Sequence, residues 1–548
     1  MKKYTIGIDF GSLSARATLT EASSGKEIAG AEHAYIHAVM TEQDICGELP
    51  RDTTALQDPE DYLTALGDVV RRVIRDSGIS KDEVGALAID FTASNILPIL
   101  KDGTPLKRLA QFSKNPHAYV KMWKHHGATE EAAILSDVAR EHFPEMLEPY
   151  GGIISSEWCF AKIFETLRKS PEVYYAADAF IEAGDWITLM LTGSTKRSAC
   201  FAGYKAQWSA EGGYPEKKFF RMCEKRLESI IDERMAGEVL DLGECAGVLN
   251  NYGSELTGLP VGTRISTAII DAHAALPAVG AVTPGDLMII MGTSACHILI
   301  SDKKLPARGI CGRVKGGVVP GLYAYEAGQT AVGDALAWLT KGFIPASYEN
   351  EAAEMRIGIF ELLDKKAKEI APGESGLLAI DWWNGCRSPY ADYDLSGLLV
   401  GLTLRTPPEA IYRAIIESIA FGTRRIVEEF SSVGLAPRRI IISGGIAKKN
   451  AFIMQTVADI LGMDIFVSDI TQAGAHGSAI YASLTSGAYK TLQDAAEKMS
   501  SKDGVVYHAS PEHKAIYDSL YHDYVELSEY FHKTNGVMRR LRARSSKD

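Results

Sequence analysis

The chain has 548 residues, of which 46% are hydrophobic and 23% charged, proportions that exclude disordered and low-complexity architectures. At roughly 100–200 residues per domain, the length alone predicts about three or four structural units. Acidic residues outnumber basic ones 70 to 58, a formal charge of −12; such a surface disfavours nucleic acid and anionic membranes as partners, but not a small anion held in a local pocket.

Met1-Lys2-Lys3-Tyr4 leads straight into a strand pattern with no apolar signal core, which predicts a cytoplasmic protein. The most continuous weakly polar stretch, 266–282, carries Asp271 and His273 and makes a poor membrane span. Eight cysteines without a C-x-x-C pair read as reduced thiols in core positions.

In chain order, 4–11 alternates apolar residues (Tyr4, Ile6, Ile8, Phe10) with small or polar ones (Thr5, Gly7, Asp9, Gly11), the period of a strand. Gly11-Ser12-Leu13-Ser14 supplies a turn, and 15–21 returns as a second strand of a hairpin with an acid near its tip. Helical periodicity over 59–76 is followed by an apolar strand over 84–90, running into Phe91-Thr92-Ala93-Ser94. Residues 105–265 carry several aromatics and few clear signals. A second strand, turn, strand device appears at 287–291, Gly292-Thr293-Ser294-Ala295 and 296–300, which predicts a duplicated domain with each half opening on a hairpin. Further on, a helix over 408–430, a strand over 439–443, Gly444-Gly445, a helix over 451–461, a strand over 464–467, Gly474 and another helix give repeated strand, Gly-rich turn, helix units. That is α/β architecture with ligand at the carboxyl ends of strands. A helix over 511–531 follows, and the basic residues of 539–547 read as a solvated or frayed end.

Backbone N–H groups approach phosphate closely only where side chains are small, in turns and at helix N-termini. Gly11-Ser12, Gly292-Thr293-Ser294, Gly444-Gly445 and Gly474 each follow a predicted strand, and together they point to a nucleotide phosphate. There is no G-x-x-x-x-G-K-[ST] and no G-x-G, which removes the P-loop and the dinucleotide fingerprint. Asp9, beside a Gly-Ser turn, suits a water-mediated Mg²⁺. Asp271 follows an apolar strand and precedes small residues, so locally it is either a helix N-cap or a general base for a hydroxyl. His273 reads as structural; Lys205 and Glu326 would each pass for surface charges or for contacts to hydroxyls or a carbonyl.

The ordered set of short motifs resembles the FGGY carbohydrate kinases, and within them most closely the bacterial L-ribulokinases. It comprises Gly7-Ile8-Asp9-Phe10-Gly11-Ser12 with Arg16, Asp90-Phe91-Thr92-Ala93, Gly151-Gly152-Ile153 with Ser155-Ser156-Glu157-Trp158, and Ala202-Gly203-Tyr204-Lys205. It continues with Asp271-Ala272-His273, Gly292-Thr293-Ser294, Glu326-Ala327-Gly328-Gln329, Asp381-Trp382-Trp383-Asn384-Gly385-Cys386-Arg387 and Gly444-Gly445-Ile446-Ala447-Lys448-Lys449-Asn450. One departure stands at Ala410, where a polar residue is usual in the family's C-terminal signature.

The resemblance implies an actin-like ATPase (ribonuclease H-like) fold, two duplicated α/β domains flanking a cleft, here 1–280 for sugar and 281–548 for nucleotide. It implies ATP-dependent phosphorylation of L-ribulose to L-ribulose 5-phosphate in L-arabinose catabolism. Asp271 would be the base, and Ala93, Lys205, Asp271 and Glu326 would surround the sugar. Asp9 would anchor Mg²⁺; Gly11, Ser12, Arg16, Gly292, Thr293, Ser294, Gly444, Gly445, Asn450 and Gly474 would hold ATP. The expected partner is a small sugar, with no nucleic acid or membrane and a homodimer as candidate assembly. A kinase of D-ribulose, D-xylulose or a pentitol is the nearest alternative, and an actin- or Hsp70-like ATPase a remote one.

Overall fold

Glycine at position 7 lets a helix lie on the first strand. The computed structural model, which describes residues 3–47, 53–235 and 237–545, forms the expected hairpin from Tyr4–Phe10 and Ser14–Glu21, antiparallel and in register from Tyr4↔Glu21 to Phe10↔Ala15. The Tyr4–Phe10 strand also pairs in parallel with Val84–Phe91, all eight of whose residues are buried, as a strand covered on both faces requires. Ile6, Ile8 and Phe10 are fully buried. Helix Ala473–Thr485 lies so close to this strand that a Cβ at Gly7 would overlap the Ala475 carbonyl. The same helix meets helix Asp271–Ala278 at Gly477, where a Cβ would overlap the Ala274 carbonyl.

The chain divides into two units rather than three or four, and neither is a single stretch. The first takes Met1–Pro284, Gly312–Ala324 and Ile470–Lys502; the second takes Gly285–Cys311, Tyr325–Asp469 and Asp503–Asp548. In the first, the main sheet has the order Cys245–Val248, Arg264–Ser266, Val84–Phe91, Tyr4–Phe10, Ser14–Glu21, Glu27–Ala34, with Ile269–Ile270 also paired to Val84–Phe91. The stretch of weak sequence signals packs as an aromatic core of its own, containing Phe143, Trp158, Phe160, Phe164, Phe219 and Phe220. It rests beside a small sheet ordered Leu56–Gln57, Val120–Lys121, Ile96–Ile99, Ala179–Glu182.

The second unit repeats the device. Asp286–Met291 pairs antiparallel with Ala295–Ser301 and parallel with Arg439–Ser443, as Tyr4–Phe10 pairs with Ser14–Glu21 and Val84–Phe91. Arg439–Ser443 pairs in turn with Ile465–Ser468. Helix Pro408–Ser432 buries Ile415, Ile419 and Ile426 along one face, and Ala410, also on this helix, is buried. Two local expectations change. Asp271 is the first residue of helix Asp271–Ala278, with Ile270 as the cap, because the strand Ile269–Ile270 holds its backbone extended up to that point. The basic C-terminal stretch is solvated, as residues 540–544 are exposed, but over its described part it is not frayed: it forms a helix, Val537–Ser545, anchored where Arg539 pairs with Asp392; Ser546 and Lys547 lie outside the described residues.

Candidate active site

In the first unit, acids stand at the carboxyl ends of adjacent parallel strands. The register pairs Asp9 with Asp90, and Ile269 and Ile270 with Asp90 and Phe91, so that Asp271 follows directly. This is the end of an open α/β sheet where ligands bind. Asp90 is buried; Ser478 donates to its Oδ2 (2.7 Å), while among the described residues its Oδ1 meets no hydrogen-bond partner. Gly474 starts the same helix, and a Cβ there would press on Asp9 and on Asp90 Oδ1. Arg16 Nη1 lies 3.6 Å from Asp9 Oδ2, and Arg16 Nε donates to Glu32 (3.1 Å).

These surroundings separate the two facing acids. Burial and the neighbouring Asp9 push Asp90 well above the usual carboxylate range, with Asp271 adding to the same effect. Burial also raises Asp9, while the facing Asp90 and the nearby Arg16 pull it back. Of the pair, Asp90 therefore holds a proton more tightly than Asp9. Sequence reasoning had no role for Asp90, although an acid closing an all-apolar strand was visible.

Ala93, Lys205 and Asp271 all lie in this unit. Ala93 follows strand Val84–Phe91, next to the strand that leads into Asp271. Lys205 ends helix Ala199–Lys205, capped by Ser198, whose side chain accepts the Cys200 N–H and whose own N–H donates to Asp185 (3.1 Å). That helix packs on the Asp271 helix through Cys200 Sγ, 3.2 Å from His273 Nδ1, and through the Tyr204 ring, 4.3 Å from the His273 ring. His273 thus has the structural surroundings expected of it. Lys205 also shares a charge interaction with the buried Glu182, which burial, against Lys162 and Lys205, raises to about 8. Next to Ala93, Ser94 takes a left-handed backbone (φ 62°), fixed by the Lys162 ammonium, which donates to the carbonyls of Ser94 and Met122 (2.6 Å each).

The second unit gathers the other turns. Gly292 N–H donates to the Ser294 carbonyl (2.9 Å), closing the hairpin as Gly11 N–H to the Ser14 carbonyl (3.0 Å) closes the first. Gly444 follows the strand parallel to Asp286–Met291; its φ of 108° suits glycine, and a Cβ would overlap the Met291 carbonyl. Val332 and Gly333 N–H donate to the carbonyls of Thr293 and Gly292 (2.8 and 3.0 Å), so helix Gly333–Gly342 also starts at this turn. Gly292 to Ser294, Gly333 and Gly444 to Gly445 thus share one end of the sheet; Gly333 carried no signal beyond being a lone glycine. Asn450 caps helix Ala451–Leu461 through Ile453 N–H (2.9 Å) and donates to Asp364 (2.8 Å), so both of its side-chain polar atoms are engaged within the unit. Glu326 is also in this unit, buried on strand Tyr323–Gln329.

Residues 4–278 match the N-terminal domain of the FGGY family of carbohydrate kinases, and residues 287–486 its C-terminal domain. The chain is 42% identical to a ribulokinase of Halalkalibacterium halodurans over 99% of its own length and 98% of that protein. It is 43% identical to a ribulokinase of Bacillus licheniformis over 97% of each. A xylulose kinase structure from Rhodospirillum rubrum superposes with TM-score 0.79 at 22% identity, covering 97% of this chain and 99% of that one. Plasmodium falciparum glycerol kinase with ADP gives 0.76 at 17% identity, over 96% and 98%. At such identities these structures speak for the fold alone, the two-domain α/β, actin-like one. A hairpin-opened α/β unit occurring twice, acids at the strand ends of one copy and glycine turns in the other, and family matches to both halves lead to one assignment: the chain belongs to the FGGY family of carbohydrate kinases, enzymes that phosphorylate sugars.

Proposed function

We propose that this kinase transfers the γ-phosphoryl group of ATP to the terminal hydroxyl of a ketopentose, L-ribulose to L-ribulose 5-phosphate, in L-arabinose catabolism. The observation that carries this reading is identity of 42–43% along essentially the full length of proteins named ribulokinase. Asp271, at the head of its helix and only partly buried, takes the proton of the attacking hydroxyl. Lys205 and Ala93 orient the sugar. Gly11 and Ser12 in the first unit, and Gly292 to Ser294, Gly444 and Gly445 in the second, offer backbone N–H groups and small hydroxyls to phosphate oxygens, where electrostatic stabilisation dominates phosphoryl transfer.

Among the described residues no group of three or more His, Cys, Asp or Glu side chains is arranged to hold a metal by itself. The carboxylate of Asp9, at the strand end beside the Gly11-Ser12 turn, suits Mg²⁺, which keeps much of its water and shares its remaining positions with phosphates. The ion would supply positive charge to the phosphate oxygens. No helix among the described residues is long and apolar enough to cross a membrane; we place the reaction in the cytoplasm, where ATP is at hand, and expect a homodimer, which light scattering tests.

Coupled ADP release over a panel of L-ribulose, D-ribulose, D-xylulose, L-xylulose and pentitols tests the substrate. The highest kcat/KM is expected for L-ribulose. A clear preference for D-xylulose or a pentitol would overturn the sugar assignment, and release of ADP without any sugar would overturn the transfer itself.

A further inference from the structure

The tip of the first hairpin carries an interaction that the roles above leave unused. Trp123 is 40% exposed, yet it is fixed at both ends. Its backbone N–H donates to Asn95 Oδ1 (2.8 Å), and its indole Nε1–H donates to Ser12 Oγ (3.0 Å). Asn95 is fully buried, and its amide donates to Thr92 Oγ1 (2.8 Å). Gln57, buried as well, donates from Nε2 to the Ser12 carbonyl (2.8 Å) while its Oε1 accepts the Tyr62 hydroxyl (2.5 Å). Two buried amides thus hold the backbone of the turn and the indole that reaches it.

The chemistry of this hydrogen bond has a direction. An indole N–H only donates, so Ser12 Oγ is the acceptor and its own hydroxyl proton remains to be given. Among the described residues no protein group accepts that proton: the one side-chain hydrogen bond of Ser12 is the one from Trp123. A phosphate oxygen only accepts. We propose that Trp123 is a positioning residue for phosphoryl transfer: its indole N–H commits the Ser12 hydroxyl to donate outward, toward a phosphate oxygen of ATP, with Asn95 and Gln57 fixing the geometry. The inference rests on the placement of ATP phosphate at Gly11-Ser12 given under Proposed function.

Substitutions at the two positions test it, assayed with the sugar that gives the wild type its highest rate: Trp123→Phe, which keeps the aromatic ring and removes the donor, Ser12→Ala, their double variant, and Ser12→Thr with and without Trp123→Phe. Trp123→Phe is expected to lower kcat about tenfold, the scale of one hydrogen bond to a charged acceptor, with the sugar KM within about twofold of wild type, which also serves as the folding control. In the Ser12→Ala background the same substitution is expected to cost nothing further, because it acts through a hydroxyl already gone. Ser12→Thr, which keeps a hydroxyl, should retain the sensitivity to Trp123→Phe. The inference is overturned by an unchanged kcat in Trp123→Phe. It is equally overturned by a raised sugar KM at constant kcat, which would mean that the ring faces the sugar, or by losses that multiply in the double variant. A wild type that phosphorylates no sugar in the panel overturns the function proposed above and this inference with it, whereas an active wild type leaves the variants as sole judges.

Discussion

Asp9 and Asp90 sit opposite each other on paired strands and hold a proton with different strength, and the difference can be measured. The proton on Asp90 is held by burial and by Asp9. A carboxyl raised above its unfolded value of 3.8 favours the folded state at low pH, and that contribution is lost as pH climbs through the folded value. Asp90→Asn, which keeps a neutral side chain in place, should flatten this part of the profile; urea unfolding between pH 4 and 8 should show a smaller decline for the variant than for the wild type. Asp271→Asn should lower kcat by about 10²–10⁴-fold, the range for losing a general base, with ATP affinity unchanged by calorimetry. Lys205→Ala should raise the sugar KM about 10-fold or more with little change in the KM for ATP, as expected for one charged hydrogen bond. At this scale Asp9 was legible because a two-residue alternation and a Gly-Ser turn surround it. Asp90 was not, because its meaning comes from Asp9 across the sheet and Ser478 far along the chain. The Asp364 partner of Asn450 was not legible either, because it lies 86 positions away.

Among the elements, helix Cys159–Lys169 carries a buried charge that its neighbours must satisfy. Glu165 accepts from Lys121 Nζ (2.7 Å), His125 Nε2 (2.8 Å) and Lys169 Nζ (3.0 Å). Burial alone would raise this carboxyl, yet Lys121 and His125 outweigh it and hold Glu165 far below its ordinary range, while burial pushes His125 down to about 4. A depressed carboxylate contributes stability that is present above its unfolded value near 4.5 and lost as pH falls. Glu165→Gln strands the Lys121 ammonium in the interior and should destabilise the protein by about 3–5 kcal/mol, read as a lower urea midpoint at pH 7 with the gap narrowing on acidification. Helices with a clear apolar stripe were legible to within a few residues: 59–76 against Pro59–Ser77, and 451–461 against Ala451–Leu461. The region of 105–265 was not, because its aromatic core is assembled from residues far apart in sequence, such as Phe143 and Phe219, whose ring centroids are 5.6 Å apart.

For the whole molecule, the charge of −12 coexists with turns suited to an anion because local N–H groups, not net charge, set the field at a phosphate. A nucleotide bound there stabilises by mass action, about 2.7 kcal/mol at a hundredfold excess over Kd, so MgATP should raise the melting temperature. Gly444→Ala, strained at φ 108° and pressed on the Met291 carbonyl, should abolish that increase. The duplicated architecture was legible as two similar strand-turn-strand motifs. That residues 470–502 belong with the first unit was not, since a helix's own sequence does not say which sheet it covers. This return has a consequence for biosynthesis. The strand Tyr4–Phe10 is synthesised long before the helix fitted against its Gly7, Ala473–Thr485. Throughout elongation one face of the nascent sheet stays uncovered, a surface that invites aggregation and chaperones. A fragment ending at Pro284 should therefore expose that apolar face and pellet on expression, and soluble, cooperatively unfolding material from it would count against the interdependence.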